Sequence, residues 1–431
     1  MLPIVDNPYV RPEQKSVIVI GGGFAGLNAT KVLARDDAVH ITLIDQRNHH
    51  LFQPLLYQVA TAGLSPADIA MPIRSIFRSA RNVAVHLGEV TAIDVAEKWV
   101  GGVAARLRFD YLVLACGSHH SYFGHPEWEV LAPGLKTLEQ ALEMRRRLLR
   151  AFEYAENEPD PTRLQALLTF VVVGGGPTGV ELAGAIADIS RTVLRQDFRR
   201  IDPERARIIL IEAGPRVLAA FPEALSVHAA RDLERLGVEV RTRAMVTSID
   251  PEGVEAGGQR IEARTVFWAA GVQGARLAQS LGVKLDRSGR VEVAPDLSLP
   301  GAPDVFAAGD IVHLELPDGG LLPGLAPAAI QTGRAAARNI LASVHGRPRT
   351  PFRYRDKGVM ATIGKHKAVA RTGRLTLTGY LAWIAWLLVH VLYLIGFKNR
   401  ISVVAQWAWS YVFSKRGARL ITDPDWRLER K

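Results

Sequence analysis

The pattern of apolar and polar positions near the start of the chain predicts a strand, a tight turn, a helix and a second strand. Ser16–Ile20 is apolar and precedes a glycine cluster, Leu27–Ala34 has helical spacing, and His40–Ile44 is again apolar. A strand, a glycine-rich turn, a helix and a strand in this order form a βαβ unit. The pattern therefore predicts an α/β fold with a parallel sheet.

The same order of elements returns about 150 residues later. Thr169–Val173 is apolar, Gly174–Gly179 is a glycine-rich turn, Val180–Ile189 has helical spacing, and Arg207–Ile211 is apolar. Residues 191–205 look like an insertion that lengthens this second unit. A repeat of this length indicates a duplicated domain, because solenoid repeats are only about 20 to 50 residues long.

The first glycine cluster has the G-x-G-x-x-G spacing of a dinucleotide-binding turn. The first glycine permits the turn, the second lets the backbone approach a pyrophosphate, and the third lets helix and strand pack closely. Asp45 ends the next strand, where an acid can bind a ribose hydroxyl. The order of these elements favours a dinucleotide site over a merely tight turn. The predicted contacts from the turn are Gly21, Gly23, Phe24, Ala25 and Gly26.

The second cluster repeats the motif, with Glu212 at the end of the following strand. A carboxylate there accepts a hydrogen bond from a ribose hydroxyl and repels a 2′-phosphate, so NADH is favoured over NADPH. Arg216 is near enough in sequence to meet a phosphate, and the alternative is that it pairs with a surface acid. The predicted contacts from the second turn are Gly174, Gly176, Thr178 and Gly179.

Two such turns predict two Rossmann-like domains, the second inserted into the first. A charged helix over Leu138–Glu156 and a polar break at Asn157–Pro161 separate them. The expected parts are residues 15–128 and 291–350 for the first domain, 129–165 for a connecting helix and linker, 166–290 for the second domain, and 351–431 for a C-terminal region.

Two dinucleotide sites imply two dinucleotides, and the upstream site usually holds a flavin. Gly309 and Asp310 follow a late apolar strand, where an acid can bind a ribityl hydroxyl of FAD; a helix N-cap is the alternative reading of Asp310. Gly117 and Gly271 end buried strands of the first and second units and belong to the same two predicted sites.

Charge and cysteine content exclude several classes of protein. The segment from Lys357 onward holds 13 of the 53 basic residues but 3 of the 43 acidic ones, so it accounts for the whole net charge of +10. A nucleic-acid partner is therefore not expected. Cys116 is the single cysteine, which rules out a catalytic dithiol. The adjacent His49 and His50 are poor metal ligands, and no metal site is expected.

The longer motifs resemble the two-dinucleotide-binding flavoprotein oxidoreductases and, within them, the type II NADH dehydrogenases. The resemblance runs from about Lys15 to Thr422 and implies bound FAD, NADH as electron donor and a membrane quinone as acceptor, without proton pumping. The segments that carry it are Asn48–Ala60, Gly174–Glu181, Ala307–Asp310, Asp356–Gly358 and Gly396–Arg400.

The resemblance also implies roles for individual side chains. It places Glu181, Gln331 and Lys357 along the quinone route and Gln53 beside the flavin. The alternatives are charge complementarity at a helix N-terminus for Glu181 and a solvated loop base for Lys357. Pro327 departs from the family pattern, because it replaces a glutamine four residues before Gln331.

The C-terminal region has two apolar segments between basic residues. Gly379–Phe397 contains 19 residues without a charge, Lys398–Arg400 interrupts the pattern, and Ile401–Phe413 is rich in aromatic residues. A spanning helix would have bases on both sides and no clear orientation, whereas a helix in the interface keeps both sets near anionic headgroups. The basic residues are Lys365, Lys367, Arg371, Arg374, Lys398, Arg400, Lys415, Arg416 and Arg419.

The spacing within these segments predicts amphipathic helices that lie in the membrane plane. We expect residues 379–413 to attach the protein peripherally to the cytoplasmic face of the inner membrane, since Met1–Lys15 has no signal-peptide pattern. Packing against the protein, a homodimer contact and a single transmembrane span are the alternatives. The predicted aromatic stripe is Trp383, Trp386, His390, Tyr393 and Phe397, and the predicted polar stripe is Ser402, Gln406, Ser410 and Ser414.

Two other functions share the Rossmann pattern. A soluble NADH-dependent reductase of ferredoxin or rubredoxin type would contain both nucleotide units but lack the aromatic tail. A redox-signalling flavoprotein of the apoptosis-inducing kind is a non-enzyme alternative. The sequence leaves open which quinone is used.

Overall fold

The computed structural model describes residues 4–5, 10–102, 106–195, 197–413 and 418–422. They fall into two compact units, each containing one of the glycine turns. The first unit comprises Met1–Leu51, Ala70–His119 and Val272–Lys357; the second comprises Phe52–Ile69, His120–Gly271 and Gly358–Lys431. The C-terminal region thus shares a unit with the second glycine turn. Ser414, Lys415 and Arg416 of the predicted membrane segment lie outside the described residues.

A six-stranded sheet forms the core of the first unit, and all its strands are parallel except one at the edge. Buried side chains such as Ile18, Leu112 and Val305 fill one face. The helix Phe24–Leu33 packs against the helix Ala326–Val344, where Gly333 allows close contact with the backbone of Ala25. The strand order is Ser298–Leu299, Ala302–Ala307, Tyr111–Leu114, Lys15–Ile20, Val39–Asp45 and Val83–Leu87, with Ser298–Leu299 antiparallel.

The remaining elements of the first unit are shorter. Ile4–Val5, Arg106–Arg108, Trp99–Gly102 and Val90–Asp94 form a four-stranded sheet. Two-stranded pairs join His49–Leu51 with Ala70–Pro72 and Val291–Glu292 with Val312–His313. The short helices are Ile73–Ile76 and the 3-10 helix Arg276–Leu281.

The second unit has a four-stranded parallel sheet, and three of its strands are buried on both faces while the edge strand Val238–Arg241 is mostly half-buried. Their order is Val238–Arg241, Arg207–Ile211, Thr169–Val173 and Thr265–Trp268. Two antiparallel sheets accompany it, formed by Val246–Asp250, Gly253–Ala256 and Gln259–Glu262, and by Val359–Gly364, Lys367–Thr372 and Leu375–Thr378. The helices are Gln53–Leu55, Leu56–Ala60, Pro66–Ile69, Trp128–Leu131, Leu138–Asn157, Pro161–Leu167, Pro177–Asp188, Ile189–Val193, Pro203–Arg205, Glu223–Arg235, Gly379–Tyr393 and Phe397–Phe413.

Local boundaries differ from the sequence-based expectations where side-chain chemistry intervenes. The first helix begins at Phe24 rather than Leu27, because the glycine turn leads directly into it. The expected linker at Asn157–Pro161 is short, since Asp160 caps a further helix over Pro161–Leu167 by accepting the N–H groups of Thr162 and Arg163.

The uncharged segment Gly379–Phe397 does not form one helix. The first C-terminal helix, Gly379–Tyr393, ends before Gly396, whose φ of +91° suits glycine best. The second C-terminal helix, Phe397–Phe413, starts directly afterwards. Arg400 donates hydrogen bonds to the carbonyl oxygens of Leu392 and Leu394 at 2.8 Å, so the base that interrupts the apolar pattern caps the preceding helix. Among the described residues, no helix has both the length and the apolar character needed to cross a bilayer.

Candidate functional site

The first glycine turn is closed on one side and open on the other. Gly21 has φ +101°, and a Cβ at Gly21 would overlap the carbonyl oxygen of Ala115. A Cβ at Gly26 would overlap the carbonyl oxygen of Gly21, whereas a Cβ at Gly23 would meet nothing within 4 Å. The turn therefore holds helix and strand in close contact while its outer side has room for a pyrophosphate. No side chain caps the helix N-terminus at Gly23.

Asp45 fixes the shape of this turn. Its carboxylate accepts the N–H of Gly22 at 2.6 Å and the N–H of Arg47 at 2.7 Å. The acid is thus held at the end of its strand, beside the glycine motif, where an acid that binds a ribose hydroxyl is expected. The half-buried carboxylate stays open to solvent on its remaining surface.

His50 also contacts the first turn, a role that sequence reasoning missed. Its Nδ1 lies 2.9 Å from the carbonyl oxygen of Gly22, and its ring meets Phe24 edge-on with centroids 5.2 Å apart. Burial lowers the pKa of His50 to about 4, so the ring is neutral at pH 7. Its Nε2 is buried without a hydrogen-bond partner among the described residues. His50 directly follows His49 in the sequence, and this spacing gave no signal that could have predicted the contact with Gly22.

Asp310 follows the strand Ala302–Ala307 and accepts a hydrogen bond from the hydroxyl of Ser118 at 3.1 Å. The N–H of Gly309 donates to the hydroxyl of Thr332 at 3.0 Å. The next element is the strand Val312–His313, so Asp310 is not a helix N-cap. A tight turn, an open phosphate side, an orphaned buried imidazole nitrogen and an acid at a strand end together fit FAD.

The second glycine turn has the same geometry. Gly174 has φ +108°, and a Cβ at Gly179 would overlap the carbonyl oxygen of Gly174, while Gly176 faces open space. Glu212 takes the place of Asp45: its carboxylate accepts the N–H groups of Gly175 and Gly214, both at 2.6 Å. The same turn is thus built twice on two sheets.

Arg216 is engaged with backbone rather than with a surface acid. Its guanidinium donates to the carbonyl oxygens of Phe221 at 2.9 Å and Ala219 at 3.0 Å. The arrangement differs from the expected surface ion pair, and a contact between Arg216 and a phosphate stays a prediction. The side chain of Glu212 lies at the strand end, where a carboxylate favours a ribose with a free 2′-hydroxyl.

Thr178 and Gly271 lie at the same edge of the second sheet. Thr178 is half-buried in the first turn of the helix Pro177–Asp188. Gly271 has φ +69°, and a Cβ there would crowd the carbonyl oxygen of Ser121 and the ring of Phe123. Gly117, in the first unit, also has a positive φ, +69°.

Glu181 lies one turn further along the helix Pro177–Asp188 and faces a cavity of about 560 Å³, counted out to its mouth. The side chain of Glu181 is half-buried, and it forms part of the cavity wall. Burial raises the pKa of Glu181 to about 8, although the N–H of Thr362 at 3.4 Å and the nearby indole of Trp386 lower it. Glu181 therefore holds a proton at pH 7.

The cavity, which we call the Glu181 cavity, lies entirely in the second unit. Its wall combines three tryptophans with polar groups from residues 57–61 and from the C-terminal region. The buried indole of Trp386 lies beside the carboxyl group of Glu181. The lining residues are Tyr57, Gln58, Thr61, Gly63, Glu181, Ala185, Asp188, Thr362, Gly364, Lys365, Trp383, Trp386, Trp407 and Ser410.

The other residues expected to line the quinone route lie in the first unit. Gln331 donates to the carbonyl oxygen of Arg355 and accepts its N–H, both at 3.0 Å, so the side-chain amide is bound to backbone. The side chain of Lys357 is exposed in an irregular segment. Pro327 lies in the first turn of the helix Ala326–Val344. Gln53, in the second unit, donates to the carbonyl oxygen of Lys136 at 2.9 Å.

Packing against the protein, given above as an alternative, describes one face of the first C-terminal helix. The aromatic stripe faces the protein: Trp383, Trp386 and His390 are buried. The reason is aromatic packing: the ring of Trp386 lies 6.4 Å from that of Tyr57 and 5.7 Å from that of Trp407, measured between centroids. Phe397 is the first residue of the next helix. The exposed side chains are Tyr380, Leu381, Leu388, Leu392 and Tyr393.

The second C-terminal helix packs its polar stripe against the protein. Ser402 and Gln406, from the predicted polar stripe, donate to the buried carboxylate of Asp68 at 2.7 and 2.8 Å. Trp407 is also buried and donates to Gln58 at 2.7 Å. The outward side is apolar and consists of Ile401, Val404, Ala405, Ala408 and Trp409.

Cys116 has no redox partner in the sequence. Burial raises the pKa of its thiol to about 12, so the reactive thiolate is not formed at pH 7.

The chain is similar to known proteins over most of its length. A family model described as pyridine nucleotide-disulphide oxidoreductase matches residues 15–333, and a model described as NDH2 C-terminal domain matches residues 357–416. The type II NADH:quinone oxidoreductase Ndh of Mycobacterium tuberculosis is 45% identical over 428 residues, covering 96% of this chain and 91% of the relative. The relative NdhA from the same organism is 45% identical over 424 residues, covering 94% and 89%.

Solved structures share the fold. The structure of NDH2 from Plasmodium falciparum in complex with NADH has a TM-score of 0.86 at 20% identity, covering 95% of this chain and 100% of that one. The sulfide:quinone oxidoreductase of Aquifex aeolicus has a TM-score of 0.72 at 19% identity, covering 93% and 95%.

Proposed function

Because the chain belongs to the pyridine nucleotide-disulphide oxidoreductases and, within them, to the type II NADH:quinone oxidoreductases, we propose that it oxidises NADH and reduces a quinone. FAD is the cofactor and NADH the substrate. The observation that carries this assignment to the molecule is the duplicated glycine turn, each copy with an acid held at the following strand end. FAD supplies the chemistry by accepting a hydride and passing two electrons on.

The individual contacts to the two nucleotides remain a proposal from geometry and resemblance. The two glycine turns hold the pyrophosphates, and Asp45 and Glu212 bind ribose hydroxyls. The residues proposed for FAD are Gly21, Gly23, Phe24, Ala25, Gly26, Asp45, Gln53, Gly117, Gly309 and Asp310. Those proposed for NADH are Gly174, Gly176, Thr178, Gly179, Glu212 and Gly271.

Glu181 is the group that we assign to proton transfer. It holds a proton at neutral pH, it lines a cavity that opens to solvent at its mouth, and a proton donor is required when a quinone takes up electrons. Gln331 and Lys357 are proposed along the same route on the resemblance of their motifs. Gln331 would have to release Arg355, or act through it, to contact a substrate.

The C-terminal helices support peripheral attachment to a lipid surface through residues 379–413. An ordinary surface helix exposes polar side chains, but these two bind their polar side chains to protein and expose apolar ones. Such an exposed apolar surface marks a membrane or protein contact. Exposed bases at Arg374 and Lys398 flank it and suit anionic headgroups at the cytoplasmic face of the inner membrane. A homodimer would cover the same surface.

A soluble ferredoxin- or rubredoxin-type reductase is not favoured. The match to the NDH2 C-terminal domain covers the region that such a reductase lacks. The redox-signalling alternative is disfavoured by the full-length similarity to quinone reductases.

Anaerobic mixing of the purified flavoprotein with NADH and then with a water-soluble quinone tests the function. We expect NADH to bleach the visible flavin absorbance and the quinone to restore it, with repeated turnover. An enzyme that passes electrons only to a small iron protein would instead support the soluble reductase, and a chain that does not bind FAD would refute both.

A further inference from the structure

Glu181 and Asp188 lie on one helix and line the same cavity. Ala185 lies between them, and the three positions are related by i, i+4 and i+7, which brings their side chains to one face of the helix Pro177–Asp188. At ~1.5 Å rise per residue, the two carboxyl-bearing residues are roughly 10 Å apart along the axis. Only the methyl group of Ala185 separates them on that face.

The two carboxyl groups have different surroundings. Glu181 is near the rings of Trp383 and Trp386, and its charged form is disfavoured. Asp188 is at the charged end of the cavity, where it accepts the N–H of Lys365 at 3.1 Å and lies near Arg191. Asp188 is half-buried and lines the cavity, so its carboxyl group is accessible both to solvent and to the cavity.

The proposed reaction needs a proton from solvent, and the inference therefore rests on the proposed function. A hydride from NADH carries two electrons and one proton, whereas reduction of a quinone to a quinol takes two electrons and two protons. The second proton leaves Glu181 as its O–H bond breaks and the quinol O–H bond forms. The resulting Glu181 carboxylate is in an unfavourable environment and must recover a proton before the next turnover.

We propose that Asp188 delivers this proton from solvent to Glu181 through water in the Glu181 cavity. Atoms balance, since each turnover takes one proton at Asp188 and releases one from Glu181. The cavity has room for a short file of waters, because liquid water occupies about 30 Å³ per molecule. The other titratable groups facing the cavity are Tyr57 and Lys365. The hydroxyl of Tyr57 accepts the side-chain N–H of Gln58 at 2.9 Å. Proton transfer through this hydroxyl is the competing path.

The substitution Asp188→Asn separates proton transfer from structure. Asparagine is nearly isosteric and keeps an oxygen that can accept the N–H of Lys365, but it cannot titrate. Asp188→Glu restores a carboxyl group. Glu153→Gln is the matched control, because Glu153 is an exposed acid near the C-terminal end of the helix Leu138–Asn157. Tyr57→Phe tests the competing path.

Two measurements follow the proton. Reduced enzyme mixed with a water-soluble quinone gives the rate of quinone reduction from pH 5 to 9, and hydrogen–deuterium exchange of the Glu181 carboxylic acid is followed by its infrared band, identified by its loss in Glu181→Gln. For Asp188→Asn we expect quinone reduction at pH 8 and carboxyl exchange each to slow by tenfold or more, with flavin reduction by NADH unchanged. Asp188→Glu should restore both rates, and Glu153→Gln should leave them unchanged.

Normal rates for Asp188→Asn in both measurements would overturn the proposal, as would slowing by Tyr57→Phe alone. Equal slowing by Asp188→Asn and Asp188→Glu with a lower unfolding temperature would show a structural role and also overturn it. Failure of the proposed function is distinguishable from failure of this proposal. In the first case unmodified enzyme would not reduce quinone, while the infrared comparison would still report proton exchange at Glu181.

Discussion

The indole N–H of Trp407 donates to the side-chain oxygen of Gln58 at 2.7 Å, and this bond links the second C-terminal helix to the short helix Leu56–Ala60. The side-chain amide of Gln58 in turn donates a hydrogen bond to the hydroxyl of Tyr57. Both residues line the Glu181 cavity. A helix with an apolar outer surface is thus connected by buried hydrogen bonds to the wall of the candidate proton site.

Trp407→Phe should destabilise the second unit. The substitution leaves the buried side-chain oxygen of Gln58 without its donor, which costs about 1 to 3 kcal/mol in free energy of unfolding. Amide exchange in Phe397–Phe413 should accelerate in the same variant. Trp409→Phe is the matched control, because Trp409 is 57% exposed. Equal effects of the two substitutions would contradict the importance of the Gln58 bond.

Changing Leu388 and Leu392 together to Gln should weaken vesicle binding. These side chains are 60% and 66% exposed on one face of the first C-terminal helix, and glutamine preserves helix propensity. Losing two apolar contacts should reduce affinity for phosphatidylglycerol-containing vesicles by about tenfold or more. Flotation with the vesicles measures the effect.

Val130→Gln serves as the control for vesicle binding, since Val130 is exposed on a helix remote in sequence from the C-terminal region. Alkaline carbonate should strip the unmodified protein from vesicles. Retention after carbonate, or loss of a dimer in place of vesicle binding, would contradict in-plane attachment.

Glu181→Gln should stabilise the protein more at pH 8 than at pH 5. The pKa of Glu181 is raised to about 8 in the folded state, so between its ordinary pKa of 4.5 and 8 the folded state holds a proton that the unfolded state has lost. Stability therefore falls as pH rises through this window, by roughly 2 to 4 kcal/mol for this group. Glutamine removes that loss. Guanidinium unfolding midpoints at both pH values check the result, and a pH-independent difference would refute it.

Glu212→Gln should relax the preference for NADH. The loss of negative charge at the strand end removes repulsion of a 2′-phosphate, and we expect kcat/KM for NADPH relative to NADH to rise by about tenfold. Arg216→Ala should leave this ratio unchanged, because the guanidinium is bound to the carbonyl oxygens of Phe221 and Ala219. A fall in NADPH use by Arg216→Ala would show instead that Arg216 contacts the phosphate.

Local sequence patterns were sufficient for the nucleotide-binding framework. Gly21 and Gly174 are recognisable because only glycine suits their positive φ and their closeness to the next strand, and Asp45 and Glu212 lie at predictable strand ends. The roles of His50 and Asp188 could not be predicted in this way. Each depends on a partner distant in sequence: Gly22 for His50, and the backbone of Lys365 for Asp188.

The sequence by itself determined the α/β class, the duplicated glycine turns and the family, because these features follow from short-range spacing and backbone sterics. Only the tertiary structure decided which face of each C-terminal helix is buried. Periodicity identifies two faces but not the partner of either one, and here the carboxylate of Asp68 and the amide of Gln58 bind the polar groups. Buried hydrogen-bonding groups need partners, so these contacts turned the apolar side chains outward.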